Sequence, residues 1–316
     1  MLQRAEVKVV VELGKEWGFD DLLPGTIALD GAVQGPRLDP ENERFSFDHH
    51  AECIRLVTTA TCQQVFDALL LGLDPTGMTI LINDLDGDTV LSAWLLGRHQ
   101  TWRDPQQRER VRPLVSNLAL ADAHGPAYPL PDPRLARHFH LVILEPLRQA
   151  RNASFPRGPG RVLDELFDSM DDWWLRGLPT EEIAPPAGTP PRITSCEGFA
   201  LVEYPPGQEG PSSFGVPWLY DRGHDRLVLV TPLPGGRFRY GLARRSDLVP
   251  RFPLPLMYPV LNQTELTARA SPLSPGQTWG GGSSVGGSPR DGSVLEPSRV
   301  AQCIGKVLRS IRASPD

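Results

Sequence analysis

The stretch MTILINDLDGDTVLSAWLL, residues 78–96, joins a short aliphatic run to a longer apolar segment through an acidic loop. Met78 to Ile82 has the length and composition of a buried strand, and Thr89 to Leu96 resumes as a helix. A loop that follows a buried strand and precedes a helix lies where open α/β sheets bind their ligands. The stretch therefore predicts an α/β fold with a parallel sheet and a ligand site at one edge of that sheet.

Outward from this stretch, the first half of the chain alternates strands and helices. Short strands are expected at Val7–Leu13, Gly25–Leu29 and Phe45–Phe47. From Cys62 to Leu73 apolar residues recur on one face of a helix, which Asp74-Pro75 then ends. Further helices are expected near residues 105–121, 133–151 and 160–175. This alternation is typical of a parallel α/β domain, which we place at residues 1–176.

The pattern changes after a proline-rich segment. Residues 177–192 contain five prolines and little apolar material, so we interpret them as a semi-rigid linker. Strands are then expected at Ile193–Tyr204, Trp218–Thr231 and Arg237–Arg244. A terminal amphipathic helix is expected from Val300 to Ile311. Residues 193–316 are therefore predicted to form a second, smaller α+β domain.

Composition and charge exclude several classes of protein. The 316 residues carry a net charge of −6 without a long basic cluster, which argues against binding of long duplex nucleic acid. The four cysteines are too far apart in sequence for a zinc ribbon or a dense disulfide framework. No uncharged apolar run approaches 18 residues, so we expect no membrane span and a cytoplasmic protein.

The acidic loop points to metal binding. Asp84, Asp86 and Asp88 alternate with other residues, so in an extended loop their carboxylates project to one side. Carboxylates crowded together repel one another unless cations lie between them. A divalent metal is therefore the simplest explanation for this motif.

A second motif, Asp48-His49-His50, follows the expected strand Phe45–Phe47. It adds imidazole to the carboxylates, a mixture that suits Mn²⁺ and other first-row ions. Asp30 and Asp122, at the ends of expected elements, are further candidate ligands. Asp-Gly after a strand is also common in turns that bind nothing, which is the alternative for Asp30-Gly31. Asp122 could instead cap or end a helix, and His124 could be the ligand in its place.

These residues resemble the DHH phosphoesterase superfamily, which includes RecJ-type exonucleases, nanoRNA and cyclic-dinucleotide phosphodiesterases and a class of inorganic pyrophosphatases. Asp48-His49-His50 matches the triplet of that family. Residues 84–88, with Ser92-Ala93 after them, are similar to its acidic motif. The triplet precedes the acidic motif here, which is a permuted order. Because a parallel sheet gathers its loops at one edge, such a site can survive permutation.

The resemblance implies a phosphohydrolase that holds two Mn²⁺ or Mg²⁺ ions, whose activated water attacks phosphorus. The implied metal ligands are Asp30, His49, Asp84, Asp86, Asp88 and Asp122. Asp48 is expected to orient a histidine, and His50 to contact the phosphate or protonate the leaving oxygen. The expected substrate is a small nucleotide or a short single-stranded oligonucleotide. The alternatives are a pyrophosphatase or phosphomonoesterase, and a catalytically inactive metal- or nucleotide-binding regulatory module.

A glycine-rich stretch in the second half is similar to the substrate-gripping loop of the family's C-terminal DHHA1 domain. Gly280, Gly281 and Gly282 are followed by Ser283, where the family loop carries histidine. A loop of backbone N–H groups with Arg290 nearby could hold a phosphate or a base. The alternative interpretation is a flexible Gly/Ser connection that binds no substrate.

Overall fold

Residues 7–54, 56–125, 128–177, 188–207, 214–273 and 276–313 are described by the computed structural model of the chain. The chain divides into two units, Met1–Ile183 and Ala184–Asp316. Most of the expected linker, residues 178–187, lies outside the described residues. Each unit has its own sheet and its own hydrophobic core.

The first unit contains a five-stranded sheet in the order β1-β5-β2-β4-β3. Its strands are β1 (Lys8–Val11), β2 (Thr26–Leu29), β3 (Arg37–Asp39), β4 (Arg44–Phe47) and β5 (Thr79–Ile82). The first four strands in that order are parallel, and only β3 runs antiparallel to its neighbour β4. The α/β class with a parallel sheet, expected from the sequence, is confirmed for this unit.

Helices follow the strands in the order that the alternation predicts. They are α1 (Thr61–Leu70), α2 (Gly87–Gly97), α3 (Pro105–His124), α4 (Pro133–Phe139), α5 (Glu145–Asn152) and α6 (Pro159–Arg176). A π-helical turn, His140–Leu144, joins α4 to α5, so the single helix expected over residues 133–151 has an irregular middle. The short strand β3 has no counterpart among the sequence-based expectations.

The core of this unit follows from the two-residue period of the strands. Ile27, Leu29, Ile80 and Ile82 point to one face, where they belong to a buried cluster with side chains of α1, α2, α3 and α6. Ala28 and Leu81 point to the other face. There they pack with the buried Leu22 and residues near it in the chain. The central strands β2 and β5 are thus buried on both faces, which explains their largely apolar sequences.

The second unit contains a six-stranded mixed sheet in the order β10-β11-β9-β8-β7-β6. Its strands are β6 (Arg192–Cys196), β7 (Phe199–Glu203), β8 (Arg226–Leu233), β9 (Arg237–Arg244), β10 (Gly280–Gly281) and β11 (Val285–Gly287). Its helices are α7 (Val216–Tyr220), α8 (Leu254–Arg269) and α9 (Pro297–Ala313). Only β7 and β8 are parallel neighbours.

Two expectations for the second unit need correction. The strand expected over Trp218–Thr231 begins only at Arg226, because residues 216–220 form α7, whose first turn contains Pro217. Residues 193–204 form a hairpin rather than one strand, since Gly198 adopts a positive φ of 91° between β6 and β7.

Among the described residues, no helix has both the length and the apolar character that a bilayer crossing requires.

Candidate metal centre

Three parallel strands end at the same level and deliver both motifs to one edge of the sheet. Leu29 of β2 is paired with Phe47 of β4 and with Ile82 of β5. Each of these residues is the last of its strand, so the next residues are Asp30, Asp48 and Asn83. The sheet thereby brings together segments that are far apart in the sequence.

Asp30 is buried and has a left-handed backbone with φ of 49°. Asp tolerates this conformation better than most residues, and its N–H still donates to the Phe47 carbonyl over 2.8 Å. The hydroxyls of Thr61 and Thr89 donate to its two carboxylate oxygens over 3.0 and 3.3 Å. Burial opposes ionisation, but the hydrogen bond and charge of His50 outweigh it and lower the pKa of Asp30. Asp30 is therefore held as a carboxylate in a fixed orientation.

His49 lies at the centre of the acidic residues. It is fully buried, and its Nε2 lies 2.8 Å from Asp122 Oδ2, 3.5 Å from Asp30 Oδ1 and 3.6 Å from Asp88 Oδ2. Neither ring nitrogen makes a hydrogen bond of normal geometry with any residue that the structure describes. Buried polar atoms nearly always have a partner, and the groups nearest this imidazole are carboxylates, so the arrangement could hold a metal ion.

Asp88 is held by the start of α1. Its two carboxylate oxygens accept hydrogen bonds from the main-chain N–H groups of Thr61 and Cys62, each over 2.7 Å. Free N–H groups at the start of a helix favour a negative charge. Burial and the charges of Asp30 and Asp122 work against that charge and raise the pKa of Asp88 to about 7. A cation would restore the charged form.

Asp86 caps α2 through a hydrogen bond of 2.9 Å from the Thr89 N–H to its Oδ1. Burial, followed by the charges of Asp30, Asp122 and Asp88, raises its pKa well above the ordinary value. The next residue, Gly87, packs against Leu144 and Phe139, and a Cβ there would come within 2.9 Å of Leu144. Glycine in this motif thus allows the π-helical turn to approach the start of α2.

Asp122 comes from a different part of the fold, the last turn of α3. Its side chain is about one third exposed and reaches His49. The prediction that α3 ends near residue 121 is therefore slightly short, because the helix continues to His124 and Asp122 is not its cap. Among the described residues, two groups of side chains have ligand atoms close enough to hold a metal: Asp30, His49 and His50, and His49, Asp88 and Asp122.

Asp48 and His50 form a separate arrangement beside these groups. Asp48 is buried and accepts hydrogen bonds from the N–H groups of Gly35, His50 and Ala51 over 2.9, 3.0 and 3.2 Å. Burial is outweighed by the hydrogen bonds from His50 and these amides, which lower the pKa of Asp48 to about 2. The half-exposed His50 has its Nδ1 3.1 Å from Asp48 Oδ1 and 3.2 Å from Asp30 Oδ1. Asp48 thus fixes the turn that carries both histidines.

Asp84 is placed differently from the other acids. Its side chain is 61% exposed, and its Oδ1 accepts a hydrogen bond of 2.8 Å from Arg151 of α5, which also contacts the Leu85 carbonyl. The metal-capable groups found among the described residues do not include Asp84. The loop is not extended as the alternation assumed: α2 begins at Gly87, so Asp86 and Asp88 lie on a helical start and Asp84 lies before it.

The donor set fits a divalent cation. Asp30, Asp88 and Asp122 surround the imidazole of His49, and burial, followed by the charges of neighbouring carboxylates, raises the pKa values of Asp86 and Asp88. A divalent ion would neutralise the carboxylates and occupy an imidazole nitrogen. The buried Asp/His cluster can therefore hold metal.

Sequence reasoning missed the residues that orient the acids. Thr61 contacts both Asp30 and Asp88, and Thr89 contacts Asp30. The pattern Thr-Ala-Thr before the amphipathic segment was an available indication of a helix start, although it gives no information about which distant carboxylates that start would bind.

The glycine-rich stretch is a small hairpin and not an open loop. Gly280 and Gly281 pair antiparallel with Gly286 and Gly287, and the Gly282 N–H donates to the Val285 carbonyl over 2.8 Å. That N–H is therefore already used within the hairpin. A cleft of about 770 Å³ adjoins it, lined in part by Gly280, Ser288 and the exposed Arg290.

No protein-family model matches the chain, and a search of the curated proteins finds no match.

Proposed function

We propose that this protein is a divalent-metal-dependent phosphohydrolase of the DHH type, with an α/β DHH-like unit followed by a DHHA1-like unit. Within that class we propose a phosphodiesterase acting on short oligonucleotides or small nucleotides. The observation that carries the proposal is the buried His49, which lies within 3.6 Å of three carboxylates and makes no normal hydrogen bond with a described residue.

The proposed ligands are those that the fold groups at the sheet edge. Asp30, His49, Asp88 and Asp122 would hold the metal, with Asp86 beside them. When bound, Mn²⁺ or Mg²⁺ would offset the charge of the phosphoryl oxygens and make a water molecule more acidic. Thr61, Thr89 and the first N–H groups of α1 keep the carboxylates in place through hydrogen bonds.

His50 is the proposed catalytic residue for proton transfer. Its Nδ1 faces the carboxylates of Asp30 and Asp48, so Nδ1 carries a proton, and the half-exposed ring is held beside the acidic cluster. When water adds its oxygen to phosphorus, the bond from phosphorus to the leaving oxygen breaks. His50 would give a proton to that leaving oxygen, while the proton of the water passes to solvent. Asp48 acts through His50 and is a positioning residue.

We also propose that the second unit binds the substrate. The cleft beside Gly280 offers the guanidinium of Arg290 and the hydroxyl of Ser288, groups that suit a phosphate. Asp291 also lines it, but Arg269 and Arg237 pair with that carboxylate. Gly281 and Gly282 contribute through the shape of the hairpin.

The test is hydrolysis of bis-p-nitrophenyl phosphate by the full chain with Mn²⁺, compared with the same protein in excess chelator. Elemental analysis of the purified protein measures bound metal in parallel. Asp88→Asn should lose both activity and metal, whereas Asp172→Asn, which alters a 70% exposed carboxylate on α6, should keep both. Active protein is then assayed on a dinucleotide, a cyclic dinucleotide, a phosphomonoester and pyrophosphate.

The outcomes separate the alternatives. Metal binding without hydrolysis of any of these substrates would identify a metal-binding module and contradict the enzymatic proposal. If the protein neither binds metal nor hydrolyses these substrates, both the metal site and the enzymatic proposal are contradicted.

A further inference from the structure

A second cleft lies in the first unit, between the segment before α1 and the last turns of α3. Its volume is about 390 Å³, within the range of small-molecule sites. Leu56, Val57 and Ala60 line one side. Ser116, Leu120 and Ala123 line the other and follow one face of α3 at intervals of four and three residues. The cleft is therefore largely apolar at a place where the neighbouring site is highly charged.

Each side of this cleft includes a residue that is next in the chain to a residue of the acidic cluster or to one that binds it. Ala60 precedes Thr61, which donates to Asp88 and Asp30. Ala123 follows Asp122, which lies against His49. Consecutive Cα atoms are about 3.8 Å apart, so each wall begins one residue from a group that builds the candidate metal centre. A molecule with its phosphorus at the acids could place its next chemical group here.

The lining favours a flat, apolar group. His124 lines the cleft, and its ring is stacked on Tyr128 with ring centres 4.5 Å apart and planes 26° apart. Leu56 and Val57 remain 58% and 73% exposed. Aromatic rings stack on planar groups, and exposed aliphatic side chains gain from being covered. Inorganic phosphate or pyrophosphate would leave these surfaces uncovered.

We propose that this cleft binds the planar base of a nucleotide whose phosphate lies at the acidic cluster. The proposal rests on the phosphohydrolase function and deepens it. It locates a determinant of substrate choice in the first unit, on His124, Leu56, Val57 and the cleft-facing side of α3. It also assigns the substrate class: phosphate esters that carry a nucleobase, in preference to inorganic pyrophosphate.

The test compares two ligands that differ only in the base. Adenosine 5′-monophosphate and ribose 5-phosphate are titrated into the full chain with Mn²⁺ by calorimetry, and chromatography afterwards verifies that the ligands are intact. Stacking of one base is expected to make the adenosine ligand bind about tenfold more tightly. Ser116→Trp should fill the cleft and abolish that preference while leaving the affinity for ribose 5-phosphate unchanged.

Gln106→Trp is the matched control. It introduces the same indole on the same helix, but at an exposed position in the first turn of α3 that does not line the cleft. It should keep the preference for adenosine 5′-monophosphate. If Ser116→Trp fails to fold, His124→Ala provides the second variant, because it removes the ring and fills nothing. That variant should lower the affinity for the adenosine ligand severalfold and leave that for ribose 5-phosphate unchanged.

Equal affinity of the two ligands in the unaltered protein, or no binding of either at millimolar concentration, would overturn the proposal. So would a preference that survives both Ser116→Trp and His124→Ala. Hydrolysis of bis-p-nitrophenyl phosphate in the same preparation reports on the proposed function separately. Equal affinities together with hydrolysis would reject the base site alone, and a base preference without hydrolysis would reject the enzyme alone.

Discussion

Replacing Asp88 by asparagine should change how the stability of the metal-free protein depends on pH. Burial and neighbouring carboxylates raise the pKa of Asp88 from 3.8 to about 7. The folded state therefore keeps a proton on this carboxyl between about pH 4 and pH 7, where the unfolded chain has released it. The wild-type protein loses stability from this group as the pH rises through that window, and the asparagine variant does not.

The size of the effect follows from the same values. Each pKa unit corresponds to about 1.4 kcal/mol, so ionised Asp88 destabilises the metal-free fold by roughly 4 kcal/mol above pH 7. A protonated carboxyl and an amide are both uncharged, and each keeps a carbonyl oxygen that accepts from the N–H groups of Thr61 and Cys62. We therefore expect variant and wild type to have similar unfolding free energies near pH 4.5. At pH 8 the variant should be more stable by up to about 4 kcal/mol.

Urea unfolding in excess chelator, followed by circular dichroism at several pH values, measures this difference. Asp172→Asn, on the exposed side of α6, should show no such dependence on pH. Addition of Mn²⁺ at pH 8 should restore the stability of the wild type, and it should give Asp88→Asn little benefit. If the difference in unfolding free energy between Asp88→Asn and wild type is constant from pH 4.5 to pH 8, the argument that the metal-free fold disfavours the ionised form of Asp88 is refuted.

Three further expectations concern other residues. His49→Ala should lose bound Mn²⁺ by elemental analysis, whereas His50→Ala should retain it and hydrolyse bis-p-nitrophenyl phosphate slowly; equal metal loss would contradict these separate roles. Asp86→Ala should reduce bound metal and Asp84→Ala should not, because Asp84 is paired with an arginine at the surface; metal loss in the Asp84 variant would show that it is a ligand. Gly281→Val should lower the thermal midpoint by several degrees, since a Cβ there would lie 2.4 Å from the Gly286 Cα, and an unchanged midpoint would show that the hairpin rearranges freely.

Local patterns were sufficient to predict where the first unit places its chemistry. The aliphatic runs before Asp30 and Asn83 and the segment Phe45–Phe47 before Asp48 have the length of strands, and parallel strands gather their carboxyl ends at one edge. Their alignment in register was not predictable, because pairing depends on the whole sheet. Short-range sequence information was therefore enough to predict an α/β fold. It was not enough to predict that the three strands end at the same level.

Asp84 shows where such reasoning fails. Alternation predicts a common side for residues 84, 86 and 88 only while the chain is extended, and α2 begins at Gly87. The partner of Asp84 is Arg151, which lies 67 residues further along the chain. No local pattern indicates such a pair. The contacts of Thr61 with Asp30 and Asp88 were likewise invisible, since they depend on how α1 packs beside two strand ends.

The separation of the acids along the chain also bears on folding kinetics. Asp30 follows β2, Asp88 lies on α2 and Asp122 on α3, so the assembled sheet and helices bring them near His49. Loop closure over such distances costs entropy, and the complete cluster exists only when β2, α2 and α3 are all in place. A cation that binds only the finished cluster then slows unfolding and leaves the rate of folding nearly unchanged. Bound metal would therefore increase the kinetic stability of the folded domain.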